Sequence, residues 1–191
     1  MRRELVFLLE EPSARALLET LLPRLLDASI QVRLIPFEGK QDLEKRLVGK
    51  LRHYINAEAR FIVMRDQDSA PDCRVIKARL VDKCRESVSI VRIACRALET
   101  FYLADLAAVE KVLRLRGLQK QQAGAKFRAP DYLEAPDQEL GKLTAQAYQK
   151  VRDSRLLGKY LALDNERSMS FKHLVAAIRR LEAELLALPD A

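Results

Sequence analysis

The sequence contains no tryptophan, only two histidines and only three cysteines in 191 residues. It has no CxxC motif, and His53 and His173 are far apart, so neither residue type has the spacing of a zinc site. Cys73, Cys84 and Cys95 form an odd set, which is typical of free thiols rather than of a disulfide framework. We therefore expect a protein of the reducing cytoplasm, without zinc and without structural disulfides.

Long apolar runs and glycine-rich phosphate loops are also missing. No apolar run approaches the roughly 20 residues that cross a membrane, so we expect no membrane association. Neither a GxGxxG nor a P-loop motif is present, which leaves no support for a nucleotide-binding protein or a phosphotransferase. The formal net charge is +7 and the isoelectric point is about 9.4. This balance favours an anionic partner, with nucleic acid as the first candidate.

Short apolar runs and helical periodicity alternate along the first half of the chain. The runs predict β-strands at residues 5–9, 30–36, 61–64 and 88–95. Because the connections are short, the pattern predicts an α/β fold, with a doubly wound, mainly parallel four-stranded sheet and flanking helices. A helical C-terminal extension follows, with helices predicted at 137–150 and 154–163 and an apolar stripe from 174 to 188. The stripe suits packing on the sheet or on a partner, which leaves a homo-oligomer open.

Acidic residues follow three of the four predicted strands. Glu10 comes directly after the first strand. Asp66 and Asp68 follow the third, and Glu99 lies just past the fourth. Ligands of open α/β sheets bind at the carboxyl ends of the strands, and paired carboxylates there are hard oxygen ligands of the kind that Mg²⁺ takes. The alternatives are a solvated turn for the two aspartates and a favourable helix-dipole contact for Glu99.

Basic side chains accompany the acids. Lys40 follows Gly39 in the turn after the second strand and brings a cation to the same edge of the sheet. A basic segment, residues 111–128, holds six lysines and arginines and no acidic residue, and its glycines and glutamines predict a mobile loop. Such a segment suits a phosphate backbone, although a charge run of this kind is more often only solvated.

The acids belong to a wider set of motifs that resembles the TOPRIM domain of topoisomerases, primases and some nucleases. The matching stretches are residues 8–23, 38–40, 66–73, 97–105 and 165–171. A closer likeness is to small stand-alone prokaryotic TOPRIM-like proteins of a domain-of-unknown-function family, related to the nucleases of the overcoming-lysogenisation-defect (OLD) family. The resemblance implies a TOPRIM-like domain at 1–110, with the basic segment and the helical extension of 111–191 packed on it.

For function, the resemblance implies a metal-dependent nucleic-acid phosphodiesterase. Relatives of this kind work with an ABC- or AAA-type ATPase encoded nearby, in defence against phage or plasmids. Glu10, Asp66 and Asp68 would hold Mg²⁺ or Mn²⁺. Glu99 would lie near a second ion or orient water.

The resemblance also implies substrate contacts, and the chain departs from the TOPRIM pattern at two positions. Lys40 would neutralise the phosphate as the transition state forms, and Lys142 and Arg167 are weaker candidates for substrate contact. Glu11 stands where TOPRIM proteins usually have glycine, and Ala14 stands where a further acid is often found. The departures keep a second interpretation open, a catalytically degenerate TOPRIM-fold subunit with a regulatory or assembly role.

Overall fold

Parallel β-strands form the centre of the protein, which the computed structural model describes from residue 3 to residue 189. In chain order the strands are β1 (Glu4–Leu9), β2 (Gln31–Pro36), β3 (Arg60–Asp66) and β4 (Ser89–Ala94). Neighbouring strands pair in parallel, in the order β2-β1-β3-β4. The predicted parallel α/β sheet is thereby confirmed, and each predicted strand end lies within two residues of the observed one.

Helices cover both faces of the sheet. Among the described residues the α-helices are α1 (Pro12–Leu21), α2 (Lys40–Arg52), α3 (Cys73–Lys83), α4 (Glu99–Leu103), α5 (Leu106–Leu113), α6 (Pro136–Leu143), α7 (Lys150–Leu157) and α8 (Met169–Leu186). Pro23 lies in a 3₁₀ turn, Leu22–Arg24, directly after α1, because proline cannot donate the bond that would continue the helix. No α-helix within residues 3–189 combines the length and the apolar character needed to cross a membrane.

Strand β1 separates two hydrophobic cores, because successive side chains of a strand point to opposite faces. Leu5, Phe7 and Leu9 enter a core shared with α1, α4, α5, α7 and α8. Val6 and Leu8 enter a second core shared with α2 and α3. All five side chains are buried, and each contributes about 1.5–3 kcal/mol by leaving water. Burial on both faces explains why this strand is a continuous apolar run in the sequence.

The strand order creates a topological switch point between β1 and β3. The chain leaves β1 through α1 to reach β2 on one side, and it leaves β3 through α3 to reach β4 on the other. The helices α1 and α3 belong to cores on opposite faces of the sheet. In open α/β sheets, ligands bind in the crevice outside the strand ends at such a point. Glu10 and Asp66 stand at these two strand ends.

The helices of the C-terminal extension differ from the predicted ones. The prediction of a single helix over 137–150 was wrong, because α6 ends and α7 begins within that range. The Thr144 hydroxyl donates to a carbonyl of the last turn of α6, and Ala145 and Gln146 then adopt left-handed conformations with φ of 49° and 63°. The predicted helix at 154–163 was also displaced, since α7 ends before its middle. The apolar stripe of the last helix matches α8.

The basic segment, residues 111–128, is anchored at its centre, contrary to the expectation of a mobile loop. The buried side chain of Gln122 accepts a 2.7 Å hydrogen bond from the backbone N–H of Leu106. Its amide group donates to the carbonyls of Leu103 and Phe127 at 3.1 and 2.8 Å. One amide therefore fixes the segment to the beginning of α5.

Packing continues across the predicted domain boundary near residue 110. Helix α7 packs along α1, and α8 packs on β1, β3 and β4. A division into a domain of 1–110 and an extension of 111–191 stays a prediction, since a single core includes side chains from both parts.

Candidate functional site

Five carboxylates at or just beyond the carboxyl ends of the strands form an acidic rim: Glu10, Glu11, Asp66, Asp68 and Glu99. Pairing of Leu9 with Met64 sets Glu10 beside the end of β3. The Oε2 atom of Glu10 accepts a 2.9 Å hydrogen bond from the backbone N–H of Asp66. Burial raises the pKa of the Glu10 carboxyl, the hydrogen bond from Asp66 partly offsets this, and the Asp68 carboxylate raises the pKa further.

Asp66 is enclosed between β3 and the start of α4. Its side chain is buried, and Oδ2 accepts a 3.3 Å hydrogen bond from the backbone N–H of Leu98. Burial raises the pKa of its carboxyl well above the usual value, and the carboxylates of Glu11, Glu99 and Glu10 raise it further. A nearby cation would therefore stabilise the ionised form of Asp66.

Glu99 is the first residue of α4 and is only 1% exposed. Its Oε1 accepts a 3.2 Å hydrogen bond from the Tyr148 hydroxyl, whereas Oε2 is buried without a hydrogen-bond partner among the described residues. Burial raises the pKa of Glu99, and the nearby Lys150 ammonium partly offsets that rise. Glu99 lies in the first turn of α4, so the alternative of a helix-dipole contact stays open, but that contact does not account for a buried carboxylate oxygen without a partner.

Asp68 faces cations. Its left-handed backbone, with φ of 55°, turns the chain after β3. The Asp68 carboxylate lies 2.9 Å from Lys40 Nζ and 3.7 Å from the Arg65 guanidinium. Lys40 begins α2 directly after Gly39, whose φ of 92° favours glycine. The structure thus brings Lys40 to the acidic rim, where it pairs with Asp68.

Lys150 joins the acidic rim from α7. Its ammonium lies 2.8 Å from the Glu11 carboxylate. Burial alone would lower the pKa of Lys150, but the carboxylates of Glu99 and Glu11 outweigh burial and raise it. The lysine therefore stays charged at neutral pH and acts as a fixed cation rather than as a base. Sequence reasoning missed Lys150, because only the packing of α7 on α1 brings this residue beside β1. It also missed the place of Glu11 in the acidic rim, since Glu11 was treated only as a departure from the TOPRIM pattern.

The side chains of the acidic rim have the chemistry to bind a divalent cation, but their arrangement in the structure does not form a binding site. Within residues 3–189, no group of three or more histidine, cysteine, aspartate or glutamate side chains has the geometry to hold a metal ion. The donors nevertheless fit, since carboxylates suit Mg²⁺ and Mn²⁺, three of them have raised pKa values, and Oε2 of Glu99 has no partner. Binding would require the carboxylates to turn towards one point.

Lys142 and Arg167, the two C-terminal substrate candidates, have different surroundings. Lys142 pairs with Glu139 on the same helix at 3.4 Å. Arg167 lines a cavity of about 480 Å³ together with Arg128 and Asn165. No ion pair within residues 3–189 joins Lys142 or Arg167 to a carboxylate of the acidic rim.

Comparison with protein families gives one match over most of the chain. A family model described as "Domain of unknown function (DUF4276)" matches residues 9–179. The matched range contains every carboxylate of the acidic rim as well as Lys40 and Lys150. No curated protein matches the sequence.

Solved structures of similar fold include C-terminal regions of OLD proteins. The one from Burkholderia pseudomallei has a TM-score of 0.53 and 16% sequence identity, over 95% of this chain and 99% of the other. One from Xanthomonas campestris pv. campestris has a TM-score of 0.52 and 14% identity, over 96% of this chain and 98% of the other. The predicted TOPRIM-like architecture and the predicted relation to OLD proteins are thereby confirmed at the level of fold.

Proposed function

Because the chain belongs to the family described as a domain of unknown function, DUF4276, and shares the fold of OLD C-terminal regions, we propose that it is a metal-dependent nucleic-acid phosphodiesterase. The ion is Mg²⁺ or Mn²⁺, and the substrate is DNA or RNA. By resemblance to the OLD nucleases, the proposal includes a partner ATPase and a role in defence against phage or plasmids. A net charge of +7 supports an anionic substrate.

The observation that carries the proposal is the crowding of buried carboxylates at the switch point of the sheet. Glu10, Asp66 and Glu99 come from three different strand ends, and burial raises the pKa of each carboxyl. Such an arrangement is unfavourable for folding, so a bound cation is the simplest reason for it. The partnerless Oε2 of Glu99 supports the same conclusion.

The residues of the acidic rim and Lys40 would have different roles in the reaction. Asp66 and Glu99 would hold the ion, with Glu10 and Asp68 as further candidate ligands. When bound, the ion supplies positive charge to a phosphoryl group. Lys40 is half-exposed, and an exposed pair such as Lys40–Asp68 contributes little, so its ammonium can exchange the carboxylate for a phosphate.

The test is a cleavage assay with purified protein on plasmid DNA, single-stranded DNA and RNA. We expect cleavage of at least one substrate with Mn²⁺ or Mg²⁺ and none with EDTA. Glu10→Gln and Asp66→Asn should each reduce the rate by at least about 100-fold, the order of magnitude lost when one charge-stabilising group is removed.

The control for this assay is Asp82→Asn. Asp82 is exposed on α3 and pairs with Arg85, away from the strand ends. The variant should keep the wild-type rate. Cleavage that continues in EDTA, or that survives in both Glu10→Gln and Asp66→Asn, would contradict the proposal.

A regulatory or assembly subunit is the second candidate function. It is favoured by the ion pairs that Lys150 and Lys40 make with Glu11 and Asp68, which occupy two carboxylates of the acidic rim. This alternative predicts no cleavage of any substrate and a stable complex with the ATPase encoded nearby. Size-exclusion chromatography with light scattering on the two purified proteins measures such a complex.

A further inference from the structure

Arg65 is a buried cation inside the acidic rim. It directly precedes Asp66 on β3, so the two side chains point to opposite faces of the sheet, and the Arg65 side chain is only 6% exposed. The guanidinium pairs with Glu44 of α2 and lies 3.8 Å from the Glu10 carboxylate and 3.7 Å from the Asp68 carboxylate. Its Nε is buried without a hydrogen-bond partner among the described residues. Charge, rather than a full set of hydrogen bonds, therefore holds the guanidinium among three acids.

Two more cations balance this side of β3. Lys40 lies 2.9 Å from Asp68, and Arg79 lies 2.6 Å from Glu44. The three carboxylates that Arg65 contacts are thus matched by three cations. A divalent ion on this side would be repelled by these cations, which already neutralise the three carboxylates.

The opposite side of β3 has an excess of negative charge. Glu11, Asp66 and Glu99 act on one another there, and Lys150 is the one cation among the described residues that pairs with this group. Glu10 also acts on Asp66, but its charge is already matched by its pair with Arg65. With all three acids ionised, the formal excess is two negative charges. One divalent ion cancels that excess, and the partnerless Oε2 of Glu99 lies on this side.

We propose that Arg65 is a built-in cation that takes the place of a second divalent ion, so that the acidic rim binds one divalent ion per chain, on the side of Asp66 and Glu99. The inference rests on the proposed metal dependence and specifies its stoichiometry. Arg65 is a positioning residue in this scheme, because it acts through Glu10 and Asp68.

Calorimetric titration of the full chain with Mn²⁺ counts the ions. We expect one per wild-type chain. Arg65→Gln removes the charge and keeps a polar side chain, and we expect it to bind two ions, with the electron paramagnetic resonance signature of a coupled Mn²⁺ pair. Arg65→Lys keeps a cation and should return the number to one.

The matched control is Arg46→Gln, which removes a half-exposed arginine of α2 that pairs with Asp42. It should bind one ion. Two ions in the wild type, or one in a folded Arg65→Gln, would overturn the inference and leave metal dependence intact. No binding by the wild type would overturn the proposed function itself. If circular dichroism shows that Arg65→Gln is unfolded, the numbers of Mn²⁺ ions bound by the wild type and by Arg65→Lys still test the inference. Two ions bound to either protein would refute it.

Discussion

At the scale of single residues, ionised Asp66 destabilises the folded protein. Its pKa is raised above the value of 3.8 in the unfolded chain, so the folded state holds the proton more tightly. The stability that the protonated Asp66 carboxyl contributes is fully present below pH 3.8 and is lost as the pH rises through the pKa of Asp66 in the folded protein. We expect Asp66→Asn, which cannot ionise, to raise the free energy of unfolding at pH 8 by about 1–3 kcal/mol, the usual cost of a buried group that lacks adequate partners.

Urea unfolding in EDTA at pH 8 and pH 4 measures this gain, which should shrink at pH 4. Added Mn²⁺ at pH 8 should favour the wild type instead, because the ion stabilises the state that binds it. Asp82→Asn, which removes an exposed carboxylate on α3, is the control and should not raise the free energy of unfolding at pH 8. An equal loss of stability for Asp66→Asn at both pH values would refute the assignment of strain to its charge.

Four acids of the rim and the cation Lys40 were accessible to sequence reasoning, but Arg65 and Lys150 were not. Glu10, Asp66 and Glu99 follow apolar runs, and the ends of parallel strands must meet. Arg65 lies within the same motif, yet its role depends on Glu44, which α2 brings from another part of the chain. Lys150 depends on a helix contact that no local pattern encodes.

At the scale of elements, the close approach of α7 to α1 positions Lys150 beside Glu11. A Cβ atom at Gly158, just after α7, would collide with the Thr20 hydroxyl and the Leu17 carbonyl of α1. We therefore expect Gly158→Ala to lower the free energy of unfolding by about 1–3 kcal/mol, as overpacking does elsewhere. Thermal or urea denaturation measures the change.

Gly49→Ala is the control for this packing. Gly49 lies inside α2, and a Cβ atom there meets nothing within 4 Å. The variant should gain about 0.5–1 kcal/mol, because alanine favours a helix interior over glycine. If Gly158→Ala proved as stable as the wild type, the spacing of α1 and α7 would not depend on the missing side chain.

The boundary between α6 and α7 illustrates where element prediction fails. Residues 144–149, between the two helices, contain neither glycine nor proline, so the sequence offers no stop signal there. The helix ends because Ala145 and Gln146 adopt left-handed conformations, which tertiary packing must support. Helix α8, by contrast, begins at a Ser168 side chain that accepts from the Phe171 N–H, a local signal.

At the scale of the whole molecule, the positive charge should make nucleic-acid binding dependent on salt. We expect the affinity for a labelled single-stranded oligonucleotide in EDTA to fall with NaCl, with a logarithmic slope of about −0.7 for each phosphate neutralised. Lys40→Gln should make the slope shallower by about 0.7, because it removes one phosphate contact. Fluorescence anisotropy measures both slopes.

Lys45→Gln is the matched control, since Lys45 is exposed on the same helix but follows Lys40 by more than a turn. Its slope should equal that of the wild type. Equal slopes for Lys40→Gln and Lys45→Gln would remove Lys40 from the phosphate-binding surface.

The parallel sheet and its covering helices were predictable, whereas the strand order and the packing between distant elements were not. Strands buried on both faces are continuous apolar runs, and this pattern alone predicts a parallel sheet covered by helices. The strand order and the packing of α8 on β1, β3 and β4 arise from contacts between distant parts of the chain. Periodicity carries no information about such contacts.

The ion pair between Glu11 and Lys150 has a consequence for protein synthesis. The chain is made from its N-terminus, so β1 leaves the ribosome early and α7 late. Until α7 emerges, the acids on its side of the sheet repel one another without the ammonium that faces them. We therefore expect a nascent chain to complete the acidic rim only after translation has passed Lys150.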